Sequence, residues 1–129
     1  MSIDASLPCP CGLPALYAGC CGRFHAGRLV GMAPDAEGLM RSRYSAYVLK
    51  LGDYLLDTWH ASTRPSVAPM FEPGLRWLGL DVKRFEVQDA DHATVEFIAR
   101  SKHGGRAHRL HEKSRFVREG ERWFYIDGD

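Results

Sequence analysis

All four cysteines of this 129-residue chain fall within its first 21 positions. Disulfide scaffolds spread their bridges to close long loops, and they belong to oxidising compartments. Here one residue separates Cys9 from Cys11, eight residues follow, and Cys20 and Cys21 are adjacent. Thiols clustered this tightly point to a metal knuckle, and zinc takes four such donors in a tetrahedron with Zn–S near ~2.3 Å. Pro10 restricts the backbone between the first two thiols, and Gly12, Gly19 and Gly22 relax it beside each pair. From spacing alone three other arrangements stay open: four buried thiols without metal, a redox pair, or His25 as fourth ligand in place of Cys21. Against the redox pair, adjacent thiols would close a strained ring, and no thioredoxin-like two-residue spacing occurs. Four thiolates on a divalent ion leave excess negative charge. Arg23, His25 and Arg28 follow directly and are expected to compensate it from solvent.

The remainder has the composition of a folded domain, 45% apolar and 26% charged, with a net charge of +1. That balance does not suggest a dedicated nucleic-acid binder. No apolar run is long enough to span a bilayer, and the leading residues lack a basic and then apolar signal, so a cytoplasmic location with no membrane association is expected. Residues 1–28 are expected to form the zinc knuckle and residues 29–129 a single α+β domain.

Pro34 and Asp35 place a helix start near residues 35–38, and Met40, Tyr44, Tyr47, Val48 and Leu51 recur at helical spacing. Gly52 is expected to stop that helix and Asp53 to open a second one carrying Tyr54, Leu55, Leu56 and Trp59. Pro65, Pro69 and Pro73 then mark a loop with at most a short helical turn. Beyond Trp77 the pattern alternates, predicting strands near 80–88, 92–102, 106–118 and 121–127, with turns at Asp89-Ala90-Asp91, Gly104-Gly105 and Glu119-Gly120. In the last strand Trp123, Tyr125 and Asp127 are expected to share a face. Two helices ahead of a four-stranded antiparallel meander give an α+β fold whose helices cover one sheet face.

The run Cys9-Pro10-Cys11-Gly12, then Cys20-Cys21-Gly22, resembles the SEC-C zinc motif, a Cys-x-Cys and, after eight residues, Cys followed by Cys or His. The resemblance implies that Cys9, Cys11, Cys20 and Cys21 bind a structural zinc. Gly12-Leu13-Pro14-Ala15-Leu16 stands where the motif usually continues with lysines, so no partner is carried over with it. Three further segments resemble the bacterial YchJ-like family: Leu39 to Tyr47, Tyr54 to His60, and His111 to Phe116 with Trp123-x-Tyr125-x-Asp127-Gly128 at the end. That family implies a curved, cone-shaped sheet capped by helices, similar to nuclear transport factor 2, and brings no defined activity.

A cone of this kind holds small molecules. Arg41, Arg43, Tyr47, Trp59 and His60 from the helical half are candidates to line it, with Tyr44 beside them. From the strands come His111, Glu112, Arg115, Tyr125 and Asp127, with Ser114. Arg43 or Arg115 would clamp a small anion or carboxylate. Alternatively Arg43, Glu112, Arg115 and Asp127 form an internal ion-pair network. Tyr47 with Glu112 or Asp127 could imitate the acid–base pair of ketosteroid isomerase. Arginines beside those carboxylates would weaken them as bases, and no nucleophile stands at motif spacing. No catalytic residue is assigned, and the balance leans against an enzyme.

Residues 100–122 carry eight Lys/Arg against three Glu, which leaves RNA or ribosome contact as a further alternative, although no aromatic stacking platform accompanies them. The expectation is therefore a zinc-binding adaptor or binding protein with a protein partner at its knuckle.

Overall fold

The computed structural model describes residues 6–129; the expectation of a leading segment without a targeting signal falls, for Met1 to Ala5, outside the described residues. Among the described residues no helix is long and apolar enough to cross a membrane.

The longest helix, α2 (Ala36–Leu49), starts where Asp35 accepts the Gly38 amide at 2.7 Å. It follows a 3-10 turn at Tyr17–Gly19 and a single helical turn, α1 (Gly22–His25), too short to show a period in the sequence. The expected stop at Gly52 is corrected. α2 ends at Lys50, whose left-handed backbone (φ 61°) brings its amide to the Ala46 and Tyr47 carbonyls. Gly52 instead opens α3 (Gly52–Asp57), and what it supplies is room: a Cβ there would lie 3.0 Å from that of Ala68.

Four antiparallel strands follow in meander order, β1 (Arg76–Asp89), β2 (His92–His103), β3 (Arg106–Glu119) and β4 (Arg122–Gly128). β1 begins earlier than expected because Trp77 pairs with Ser101 and sets its ring against Tyr44 at 5.8 Å. Irregular register at three points along β1 bends that strand, as bulges do. Residues 58–60 run beside β4: the His60 amide donates to the Tyr125 carbonyl at 2.7 Å and the Tyr125 amide to the Thr58 carbonyl at 2.9 Å. That segment covers the β4 edge, an otherwise open pairing site.

One expectation about β4 fails. Phe116 pairs with Tyr125 and Arg115 with Asp127, which leaves Ile126 as an extra residue. The bulge turns Asp127 to the face opposite Tyr125. Trp123 and Tyr125 therefore reach the core while Asp127 bonds Arg115 outside it.

The core lies between α2, α3 and the concave sheet face, where Leu39, Met40, Leu55, Val95, Phe97 and Phe116 are buried. α2 is buried on a second side as well, since Ser42 and Ser45 are fully enclosed. That side carries the cysteine hook. Leu49 packs against it, Arg41 donates to the Cys11 carbonyl at 3.0 Å, and the His25 ring bonds the Ser42 carbonyl at 2.8 Å.

Candidate metal centre and cone cavity

The four sulfurs converge. Cys9, Cys11, Cys20 and Cys21 are all buried, and their Sγ atoms lie within 4.8 Å of one another. A short loop aims the first pair: the Cys9 amide donates to the Ala15 carbonyl at 3.0 Å and the Gly12 amide to the Cys9 carbonyl at 3.2 Å. The second pair sits at the mouth of α1, where the Arg23 and Phe24 amides donate back to the Cys20 and Cys21 carbonyls. Gly22 is required there, because a Cβ would meet the Tyr17 carbonyl oxygen at 2.6 Å.

This donor set fits a metal ion. A tetrahedron with Zn–S near ~2.3 Å has sulfur–sulfur edges of roughly 3.8 Å, and Cys11 and Cys20 are 3.6 Å apart. All four cysteines are free rather than disulfide-bonded. As bare thiols they strain one another's ionisation. Hydrogen bonds from Cys11 and Cys21 pull the Cys9 thiol far below its ordinary value. Burial, then the bond with Cys9, pushes Cys20 up to about 12, and hydrogen bonding with Cys11 and Cys9 drives Cys21 upward too. One thiolate thus holds Cys20 and Cys21 protonated, whereas a divalent cation would favour their thiolate forms.

His25 is no substitute ligand. Its Nε2–H donates to the Ser42 carbonyl at 2.8 Å, leaving Nδ1 to accept the Tyr17 hydroxyl at 2.6 Å. Burial lowers its pKa, so the ring is a neutral strut between hook and helix, not the solvated charge expected of it. Arg23 spends its Nε–H on the Cys20 carbonyl at 2.9 Å, and only Arg28 stands simply in solvent.

The second feature is a cavity of about 240 Å³ between α2 and the sheet. Of the expected pocket residues, Arg43, Tyr47, Trp59, Glu112 and Tyr125 line it, joined by Tyr44 and Ser114. Apolar walls that sequence reasoning did not name come from Met40, Trp77, Phe97, Leu110 and Phe116. Alternation was the available signal for Leu110 and Phe116, which share a β3 face with Glu112 and Ser114.

The other five expected residues lie elsewhere. Arg41 bonds Glu37 at 2.9 Å and the hook. His60 is held by Glu119 at 2.8 Å and Ser62 at 2.7 Å. His111 pairs with Glu96 at 2.6 Å on the outer face, and Arg115 pairs there with Asp127 at 2.5 Å and Asp129 at 2.8 Å. The single ion-pair network considered from sequence does not form: Arg115 pairs with Asp127 outside the cavity, while Arg43 and Glu112 both line it without a salt bridge between them. Part of the basic stretch is also paired, since Arg100, Arg118 and Arg122 meet Asp81, Asp91 and Asp57 respectively.

Inside the cavity wall, Arg43 is only 6% exposed. One terminal nitrogen, Nη1, donates to the Leu55 carbonyl at 2.8 Å and to Thr58 Oγ1 at 2.7 Å. The guanidinium carbon stands 4.6 Å from the Tyr125 ring centre and 5.1 Å from that of Trp59. The Glu112 carboxylate accepts from Ser114 at 2.5 Å and from the Tyr125 hydroxyl at 3.4 Å. The Tyr125 hydroxyl is pushed up to about 12, chiefly by burial, and so stays protonated as a donor.

Comparison with known proteins agrees with this architecture. The model of the family "YchJ, middle NTF2-like domain" matches residues 35–128. A UPF0225 protein of Bordetella pertussis is 60% identical over 121 residues, covering 94% of this chain and 91% of the relative. Another from Methylibium petroleiphilum is 62% identical over 125 residues, 97% of this chain and 90% of the relative. Among solved structures, a SEC-C motif containing protein from Rhodopseudomonas palustris superposes with TM-score 0.79 at 35% identity, covering 94% of this chain and 96% of the other. A second, from Psychrobacter arcticus, gives 0.78 at 29% identity, covering 95% and 82%.

Proposed function

The chain belongs to the YchJ-like family, and on that footing we propose that it is a zinc-held cytoplasmic adaptor, its metal structural and its knuckle the contact surface for a protein partner. The convergence of four buried sulfurs within 4.8 Å carries the metal half of the proposal. Cys9, Cys11, Cys20 and Cys21 would hold the ion; zinc supplies cross-linking there, since four protein ligands leave no position for an activated water. Thiols of this kind stay available to metal where the compartment is reducing. The adaptor half is supported by what the loop displays. Leu7, Leu13 and Leu16 are 56%, 40% and 54% exposed directly beside the buried cysteines. Apolar side chains held outward on a braced loop suit a protein contact.

Native mass spectrometry of freshly reduced protein should find one zinc per chain, with occupancy lost in Cys9→Ser and Cys20→Ser. Iron, or four sulfurs free of any metal, would overturn the metal assignment. A Leu13→Ser/Leu16→Ser variant should keep its zinc yet lose a partner crosslinked to the wild-type chain; unchanged crosslinking would overturn the adaptor role.

A further inference from the structure

We propose that the cone cavity is a binding site for a small monocarboxylate with an apolar, ring-sized body, its carboxylate received by Arg43 and the indole N–H of Trp59. The site is independent of the metal centre.

The case rests on donors left over. A guanidinium has five N–H groups, and the bonds to Leu55 and Thr58 engage only those on Nη1. Among the described residues Nε and Nη2 meet no acceptor, and no carboxylate forms a salt bridge with this buried cation, which Glu112 attracts only at longer range. The Trp59 Nε1–H is buried and without an acceptor among the described residues, and it is carried by a side chain of the same cavity wall. The enclosed Trp59 donor without an acceptor costs free energy, and the free Arg43 donors have no protein acceptor; a bound anion would supply one to each. The two ring faces against Arg43 soften that cost and fix the guanidinium plane, but they accept none of its remaining hydrogens.

The rest of the wall specifies the body of the ligand. Tyr44, Tyr47, Trp77, Phe97 and Phe116 make it largely aromatic, and about 240 Å³ lies just under the roughly 300–1,000 Å³ typical of drug-sized ligands. Leu110, 47% exposed, belongs to the wall and marks the open side. Glu112 limits the charge. Its carboxylate is already supplied with donors by Ser114 and Tyr125, so it repels a second anionic group, which selects a monoanion over phosphate or a dicarboxylate.

The test is an NMR titration of the zinc-loaded protein with benzoate and 3-phenylpropionate, following the Trp59 Nε1–H and Arg43 Nε–H signals. Benzyl alcohol serves as the neutral control and inorganic phosphate as the anion control. Both carboxylates should shift the two signals saturably, with benzyl alcohol at least about tenfold weaker and phosphate without effect. Arg43→Met should weaken benzoate by about tenfold or more. Should that variant fail to fold, Trp59→Phe, which keeps a ring and deletes only the donor, should weaken it about threefold to tenfold. Equal affinity for benzoate and benzyl alcohol, saturation by phosphate, or shifts confined to residues outside the cavity would each overturn the proposal.

Discussion

His25 shows how burial reassigns a side chain. In the sequence it follows Cys21 closely enough to serve as ligand or countercharge, but the fold turns it inward between Tyr17 and Ser42 with both ring nitrogens engaged. Burial lowers its folded-state pKa, so the unfolded chain, with a pKa near ~6.5, binds the proton more strongly. The stability this group provides is complete above about pH 6.5 and declines as the pH falls towards its lower folded value. Urea denaturation at fixed zinc should therefore show the wild type losing more stability between pH 7.5 and 5.5 than His25→Gln. Acid also loosens thiolate–metal bonds, but in both proteins alike, so parallel losses would exclude the histidine. Residue type did announce the four cysteines as a group, because thiols spaced this closely point to a metal site. It did not announce which of Arg43 and Arg115 is buried: they are the same residue, separated only by which surface of α2 or β3 carries them.

At the level of elements, α2 tests two terminal residues of opposite legibility. Asp35 follows the ordinary rule for a helix start, and Asp35→Ala should cost about 1 kcal/mol by leaving the Gly38 amide without its side-chain acceptor. Thermal denaturation would register that as a lowering of roughly 4 °C. Lys50 breaks the rule for a helix end, since a lysine holds the left-handed conformation usually given to glycine. Lys50→Gly should relieve that strain and stabilise the protein by about 0.5–1 kcal/mol, net of the added freedom of the unfolded chain. A decrease in melting temperature would show instead that the lysine side chain is needed. The strands were legible because period-two alternation and paired turn residues report them directly. The Ile126 bulge was not. One inserted residue reverses every later side chain, and it leaves no mark in composition, so Asp127 was expected beside Tyr125 and stands behind it. Candidate residues from β3 failed for a plainer reason: His111 and Arg115 alternate with Glu112 and Ser114, and neighbours in sequence cannot all face one cavity.

The whole molecule joins a cysteine hook to a sheet-and-helix body through one helix, and that junction predicts how it comes apart. α2 sends Leu39, Met40 and Tyr44 to the sheet side, and turns Ser45, Leu49 and the Ser42 carbonyl towards the hook. On the sheet side the apolar core is continuous with α3 and with buried positions of β2, β3 and β4, whereas the hook's own buried group is five small or aromatic residues, four of them cysteines. Without metal, the hook retains chiefly the Tyr17–His25–Ser42 bonds, the Arg41 contact with Cys11, and Phe24, which alone reaches into the main core. Chelation under reducing conditions should therefore open residues 7–21 to hydrogen exchange, with protection falling by at least tenfold, while β2 and β3 stay protected. α1 should respond in between, because Phe24 anchors it after the cysteines let go. Exchange that rises across hook and sheet together would mean that the metal holds a single cooperative unit. An unchanged hook would mean that packing alone holds the cysteines together, and the zinc would then be a passenger in a preformed site rather than the cross-link that builds it.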